Sequence, residues 1–341
     1  MRFLTFSYLS PRPRVGVQLG GAVIDLSAAA PLVFEHLERP HWTLLDILQG
    51  QPDGMGVDGA AEIAAAVLDQ LGIYGADALQ EAPDLVEDMS SGPLSIGGAE
   101  MVLPLDEVRL LAPLPRLGTL RLFNVFEEHA LAAASLRHGG LLPEWYEQPL
   151  FAFGNPNAIL GPAEELDMPQ TAALDYALGV ACVIGRAGRD IGEDEAEQHI
   201  AGYMVMNGWC ARDLERLELA AGYGPSKSRD FASSLGPVLA TPDEIEERLL
   251  PDGRYNLAMV ARVNGQEVSR GNMRDASFTF AQMIASASRD ATLYPGDVLF
   301  SGAVGGGSLL EQTEGRGPWL ERGDEVELEI GGLGALRTPI R

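Results

Sequence analysis

The last third of the sequence consists of short segments in which apolar and polar side chains alternate with a period of two, the pattern of half-buried β-strands. LAMVARV and QEVSRG flank Asn264-Gly265, a pair that favours the type I′ turn of a two-residue hairpin. DVLFSG and VELEIGG continue the same alternation further along the chain. Because unpaired strand edges must be closed or covered, these segments predict a closed or rolled β core.

The N-terminal segment predicts a small β unit followed by a helix. Residues 1–26 alternate apolar and polar positions around Gly20-Gly21, a tight hairpin turn. DGAAEIAAAVLDQL, residues 58–71, repeats apolar residues at spacing four and is followed by Gly72, the usual helix terminator. The strand positions are Phe3, Val15, Val17, Val23 and Ile24, and the helix positions are Ile63, Val67 and Leu71.

A change in composition predicts the division into domains. Residues 80–100 are rich in Pro, Gly, Ser and acids without clear periodicity, which is typical of a linker. We therefore expect a small α+β domain with its linker over 1–104 and a larger domain over 105–341. The larger domain would begin with a short strand at Val108, Leu110 and Leu111 that ends before Pro113.

The middle of the chain mixes helical and strand patterns, so the predicted class is α+β. FEEHALAAASLRHG, from Phe126, is Ala-rich, with acids in its first turn, His129 one turn in and Arg137 in its last turn. The apolar run ALGVACVIG, residues 177–185, has the length of a buried strand, and EDEAEQHIAGYMV after it starts as a helix. FTFAQMIASASRD predicts another helix, with Thr279 as its N-cap.

Charge excludes some classes of partner. Twenty-four basic residues against 49 acidic ones give a formal net charge of −25, which disfavours binding to nucleic acid or to anionic membrane surfaces. The sequence contains no run of 18 apolar residues, so no membrane span is expected, and its start is a poor signal peptide. Cys182 and Cys210 stand beside apolar residues, which predicts buried reduced thiols and a cytoplasmic location.

Common catalytic motifs are missing from the sequence. GAVGGGS, residues 302–308, is glycine-rich but lacks the lysine of a phosphate-binding loop. HExxH, CxxC and GxSxG do not occur, so zinc, redox and serine-hydrolase chemistry have no support.

Nine segments in order resemble the fumarylacetoacetate hydrolase family, whose members act on acylpyruvates and related 2-oxo acids. The resemblance covers roughly 105–341 and implies a mixed β-roll with a smaller N-terminal domain, assembled as a homodimer. The segments are LDEVRLLAPLP, RLFNVFEEHA, PEWYEQPLFAFGNPNAILGP, LDYALGVACVIGRAGRDI, IAGYMVMNGWCARDLE, SKSRDFASSLGPVL, VNGQEVSRGN, YPGDVLFSG and GSLLE.

In that family four carboxylates hold Mg or Ca, a hard cation that requires oxygen ligands. The matching positions here are Leu122, Ala177, Gly179 and Gly208, which offer no side-chain oxygen. We therefore expect no divalent cation at this place and predict no cofactor.

The resemblance also implies a catalytic pair and a set of substrate contacts. His129 matches the family's general base, and Glu311 matches the carboxylate that orients it. Arg212 matches an arginine near the reacting oxygens. The substrate-binding positions are Arg229, where the family has Lys, Glu215, where it has Gln, Lys227 and Ser233.

Each of these residues also has a purely structural interpretation. A histidine near the start of an amphipathic helix is often packed or capped, and Glu311 alone would be a surface acid. Arg212 could form a structural ion pair. The remaining histidines, for which we expect surface or packing positions, are His36, His41, His138 and His199.

Two functions remain open from the sequence. The first is a metal-independent enzyme that acts on a small 2-oxo or 2,4-dioxo acid by C–C bond hydrolysis, or by related lyase or tautomerase chemistry, with His129 as base. The second is a pseudoenzyme that binds a small carboxylate without chemistry.

Overall fold

The computed structural model describes residues 1–50, 56–73, 92–135 and 139–341, with Ser135 described by its backbone. The helices are α1 (Leu26–Ala29), α2 (Leu44–Gln49), α3 (Gly56–Gln70), α4 (Glu127–Ser135), α5 (Glu144–Glu147), α6 (Arg212–Ala220), α7 (Phe280–Ser288) and α8 (Leu309–Gln312). Short 3-10 helices lie at Ala30–Leu32, Ala196–His199, Lys227–Arg229, Pro242–Arg248 and Met273–Asp275.

Strands outnumber helices in the described residues. The first are β1 (Arg2–Ser7), β2 (Arg14–Leu19), β3 (Ala22–Asp25), β4 (Leu94–Ile96), β5 (Ala99–Pro104), β6 (Arg109–Leu111), β7 (Leu120–Phe123), β8 (Phe151–Gly154), β9 (Ile159–Leu160) and β10 (Leu174–Asp175). The others are β11 (Leu178–Ile184), β12 (Gly188–Arg189), β13 (Ile200–Asn207), β14 (Cys210–Ala211), β15 (Ser233–Ala240), β16 (Ala258–Val263), β17 (Gln266–Asn272), β18 (Thr292–Leu293), β19 (Val298–Phe300), β20 (Glu325–Ile330) and β21 (Gly334–Pro339).

One mixed sheet extends through most of the described chain. Its order is β4-β5-β3-β2-β1-β15-β13-β11-β19-β7-β8, with β6 paired to β1 and β9 to β15. The pairs β19–β7 and β15–β9 are parallel, and the other pairs in this sheet are antiparallel. A second sheet has the order β17-β16-β20-β21. The predicted α+β class is confirmed.

The long sheet connects the two parts of the chain. In β1, Arg2 and Phe3 pair with Ala240 and Leu239 of β15, so the N-terminal strands continue the sheet of the C-terminal part. The boundary between 1–104 and 105–341 stays a prediction, and its last N-terminal strand, β5, ends at Pro104.

The prediction of a linker over 80–100 is wrong for residues 92–100. Leu94 and Ile96 lie in β4, which pairs with β5 around Gly97-Gly98, both with positive φ. The short alternation of apolar and polar side chains was hidden in a segment whose composition is typical of a loop. Residues 80–91 lie outside the described residues.

Most other local predictions hold. The hairpin at Gly20-Gly21 joins β2 to β3, α3 covers the predicted helix with Ile63 and Val67 buried, and Thr279 caps α7. The segment EDEAEQHIAGYMV differs, since it forms the 3-10 turn Ala196–His199 and then β13. The helix predicted from Phe126 is α4, and Arg137 and His138 lie outside the described residues.

The apolar core packs against both faces of one central strand. Strand β11 is buried along its whole length, and its two faces contribute to two apolar clusters. Both cysteines are free and buried, as predicted; burial raises the pKa of Cys182 well above its usual value and the pKa of Cys210 to about 12. No helix in the described residues is long and apolar enough to cross a lipid bilayer.

The hairpin at Asn264-Gly265 provides a test of the turn prediction. Both residues have positive φ, 52° and 77°, and a Cβ on Gly265 would meet no atom within 4 Å. Gly265→Ala is therefore expected to lower the free energy of unfolding by about 1–2 kcal/mol, the cost of a left-handed backbone for an L-residue. Urea denaturation measures this, with Gly139→Ala, at an exposed glycine without positive φ, expected to stay within about 0.5 kcal/mol of the parent. Equal effects of the two substitutions would contradict the turn assignment.

Candidate active site

A cavity of about 450 Å³ lies beside the strands β7 and β8 and the helices α4 and α6. Its polar lining comes from residues far apart in the sequence, namely Asn124, His129, Arg212, Glu215, Arg216 and Arg229. Pockets of this size are typical of small-molecule sites. The fold therefore brings four of the predicted site residues, His129, Arg212, Glu215 and Arg229, together around one cavity.

The histidine of α4 is held by a carboxylate of α8. His129 Nδ1 lies 2.7 Å from Glu311 Oε2, and both side chains are almost fully buried. Glu311 also accepts hydrogen bonds from the Ser308 hydroxyl and the Gly306 backbone N–H. Because Nδ1 is engaged, Nε2 is the ring nitrogen left for a molecule in the cavity.

The environment of Glu311 keeps it ionised. Burial by itself raises the pKa of this carboxyl, but the hydrogen bonds and charge from His129, Gly306 and Ser308 outweigh it, so the pKa is lower than usual. An ionised carboxylate accepts the Nδ1–H and fixes the tautomer, so that Nε2 is the ring nitrogen with a free lone pair. The pair can therefore take a proton from a bound molecule.

Glu215 joins two arginines on the opposite part of the lining. Its Oε2 accepts from Arg212 Nη1 at 2.7 Å and its Oε1 accepts from Arg229 Nη2 at 2.9 Å. Burial raises the pKa of Glu215, and the two guanidinium groups lower it far below its usual range. Its contribution to stability is therefore present above the usual glutamate pKa and is lost only as the pH falls through this much lower value.

Asp175 connects the arginine cluster to helix α8. This fully buried residue of β10 accepts from Arg212 Nε at 2.8 Å and from the backbone N–H groups of Leu309 and Leu310, at 2.7 and 3.1 Å. Since Leu309 and Leu310 open α8, one carboxylate fixes both Arg212 and the helix that carries Glu311. Sequence reasoning missed Asp175, although it begins the DYALG stretch of a matching segment.

Arg229 is positioned by a turn that Glu218 stabilises. Glu218 accepts from the backbone N–H groups of Ser226, Lys227 and Ser228 and from the Ser228 hydroxyl. The turn places Arg229 at the cavity and Lys227 in solvent.

Two predicted substrate contacts lie elsewhere. The Lys227 side chain is 73% exposed and pairs with Asp230 at 2.6 Å. Ser233 is buried at the start of β15, where its backbone N–H bonds to Ala158 O. Neither lines the cavity, because the turn at 227–229 separates neighbouring side chains and Ser233 already belongs to the sheet.

Some buried polar atoms at the cavity have no hydrogen-bond partner among the described residues. They are Asn124 Oδ1, Arg212 Nη2 and Arg229 Nε. Buried polar groups are normally satisfied, so these atoms are available to a ligand. Asn124 was not predicted, although it stands in the matching segment RLFNVFEEHA.

The four positions matched to metal ligands form an apolar wall. Leu122 and Ala177 line the cavity, and the buried ring of Phe300 lies against Gly179 and Gly208. A Cβ on Gly179 would come within 2.5 Å of Phe300 Cε2 and 2.3 Å of Gly302 O, and one on Gly208 within 2.9 Å of Phe300 Cε1. The residues present therefore do not fit a hard dication, and the described residues contain no group of three or more His, Cys, Asp or Glu able to hold a metal.

Comparisons with known proteins show which sequences this chain is similar to. Residues 121–341 match the family described as fumarylacetoacetate (FAA) hydrolase C-terminal. The chain is 30% identical over 237 residues to the mitochondrial oxaloacetate tautomerase FAHD2A of Homo sapiens, covering 69% of this chain and 70% of that protein. It is 28% identical over 294 residues to 2,4-didehydro-3-deoxy-L-rhamnonate hydrolase of Sphingomonas sp., covering 86% and 92%.

A solved structure supports the fold over the whole chain. Fumarylacetoacetate hydrolase from Exiguobacterium antarcticum superposes with a TM-score of 0.66 at 23% identity, covering 100% of this chain and 99% of that one. The small N-terminal unit is thus included in the similarity.

Proposed function

The chain belongs to the fumarylacetoacetate hydrolase family, and from this premise we propose that it catalyses proton transfer on a small 2-oxo or 2,4-dioxo acid without a divalent metal. The observation that carries the proposal is the buried His129–Glu311 pair, 2.7 Å apart, at a cavity that also holds Arg212 and Arg229. The names of the relatives, a tautomerase and a hydrolase of small keto acids, fit this class.

Keto–enol tautomerisation is the reaction that these residues support best. His129 Nε2 would remove a proton from carbon 3 of the 2-oxo acid, and the electron pair would form the C2–C3 double bond as charge moves to the carbonyl oxygen. The free guanidinium N–H groups of Arg212 and Arg229 are the donors for that oxygen and for the carboxylate. Transfer of the proton from His129 Nε2 to this oxygen completes the enol and restores the neutral imidazole.

Hydrolysis of a C–C bond would use the same base on water. That reaction needs a second, hydrolytic step in which an enolate leaves, and the apolar wall at Gly179 and Gly208 supplies no cation for it. Tautomerisation requires proton transfers alone and is therefore the simpler use of this site. A homodimer and a cytoplasmic location remain parts of the proposal that follow from the resemblance and the sequence.

A second candidate is a non-catalytic binding protein. The apolar wall favours this function, because the ring of Phe300 fills the space that side chains at Gly179 and Gly208 would need. Thermal-shift screening with keto acids separates the two: stabilisation that is the same in His129→Ala, with no product from the parent protein, supports the binding protein.

The role of metal is tested directly by chelation. Dialysis against EDTA, or addition of Mg²⁺ or Mn²⁺, is expected to change the rate of enol loss from oxaloacetate and phenylpyruvate by less than about twofold, since a catalytic metal would contribute several kcal/mol. The rate is followed by ultraviolet absorbance of the enol, with acylpyruvate cleavage measured in parallel. Activity that depends on added metal would contradict the proposal.

A further inference from the structure

The charges around the cavity limit how many carboxylates a ligand can carry. Two cations, the buried Arg212 and the partly buried Arg229, are matched by two anions, the buried Asp175 and the partly buried Glu215. Glu311 is hydrogen-bonded to His129, which is neutral when it acts as the base, so this pair adds one negative charge. The two arginines and their two carboxylate partners therefore leave no surplus positive charge for a ligand.

One guanidinium at the cavity is left without a carboxylate partner. Arg216 lines the cavity, is exposed, and forms no ion pair among the described residues. The free N–H groups of Arg212 and Arg229 add directional hydrogen bonds but no further net charge. One carboxylate can thus be both neutralised and hydrogen-bonded, whereas a second would enter without a free cation, which is costly in a partly buried site.

The rest of the lining is apolar and partly aromatic. Its large side chains are Leu122, Phe123, Trp145, Leu150, Phe151, Leu219 and Leu310. Phe123 and Phe151 contact each other with ring centroids 5.0 Å apart, and Trp145 is almost fully buried. An apolar group of a ligand that packs against this surface is removed from water, which stabilises the complex.

We infer that the cavity selects a 2-oxo acid with one carboxylate and a bulky apolar substituent, such as an arylpyruvate, over a dicarboxylic acid. The inference rests on the proposed function for the 2-oxo group, and it adds the chemical class of the substrate. Glu215 is the specificity-determining residue, because it cancels the second cation that a second carboxylate would need.

Binding of unreactive acids tests the inference without turnover. Isothermal titration calorimetry with the wild-type protein is expected to give at least about tenfold tighter binding of 3-phenylpropanoate than of succinate, a difference of one decade in Kd. Equal or tighter binding of succinate, or no detectable binding of either acid, would overturn the inference. The His129→Ala variant is expected to keep the same ratio, so that failure of the catalytic proposal and failure of this selectivity are seen separately.

Glu215→Gln tests the electrostatic cause. The amide keeps the size of the side chain but frees one positive charge, so succinate is expected to gain about tenfold in affinity while 3-phenylpropanoate changes less. Glu267→Gln is the matched control, because it removes the carboxylate partner of Arg270 at an exposed position of β17. The ratio of the Kd values of succinate and 3-phenylpropanoate for this variant is expected to equal that of the wild type. A ratio unchanged in Glu215→Gln would refute the role of Glu215, and the wild-type comparison still decides the selectivity if this variant does not fold.

Discussion

Replacing His129 by alanine is expected to lower kcat/KM by about 10²–10⁴-fold, the usual contribution of a general base, while affinity for an unreactive carboxylate stays within about threefold. The reason is that the imidazole supplies the proton acceptor, whereas the guanidinium donors of Arg212 and Arg229 hold the ligand. Steady-state kinetics and calorimetry on the same preparations separate the two effects.

The control for this prediction is another histidine. His36 is exposed and contacts Phe34 at a ring-centroid distance of 6.5 Å, and His36→Ala is expected to keep the wild-type rate. If His129→Ala lowers kcat/KM by less than about tenfold, the His129–Glu311 pair is structural and not catalytic.

Replacing Asp175 by alanine is expected to lower the free energy of unfolding by about 3–5 kcal/mol, the usual cost of removing one partner of a buried ion pair. The substitution leaves Arg212 Nε and the backbone N–H groups of Leu309 and Leu310 without their acceptor in the interior. The start of α8 and the orientation of Glu311 depend on the same carboxylate, so activity should fall together with stability. Urea denaturation and kinetics measure both.

An exposed ion pair provides the comparison. Lys227 and Asp230 have side chains 73% and 42% exposed, and Lys227→Ala is expected to cost less than about 1 kcal/mol. A loss for Asp175→Ala as small as that for Lys227→Ala would mean that Asp175 does not hold α8 and Arg212 together.

Local patterns in the sequence predicted turns and helix caps correctly, because these features depend on neighbouring residues. Asn264-Gly265 adopts the left-handed turn that its composition favours, and Thr279 forms the N-cap expected of it. The strand β4 was missed because three residues cannot establish a period against a background of Gly, Ser and Pro. Short elements that are stabilised by a distant sheet leave little trace in local sequence.

The candidate site shows a different limit. His129 and Glu311 are 182 residues apart, so no spacing rule could pair them, and the prediction came from the family resemblance. Asp175 and Asn124 escaped notice because their importance comes from burial, which a single sequence does not display. Phe300 escaped for the same reason, since its ring in β19 meets Gly179 of β11 and Gly208 after β13, which are distant in sequence.

Deuterium exchange at carbon 3 of phenylpyruvate tests the central claim most directly. Metal-free protein in D₂O with EDTA is expected to accelerate the loss of the C3 proton signal, followed by proton NMR, and His129→Ala is expected to abolish the acceleration. Exchange that requires added Mg²⁺ or Mn²⁺, or that proceeds equally in His129→Ala, would contradict proton transfer by the histidine that Glu311 holds.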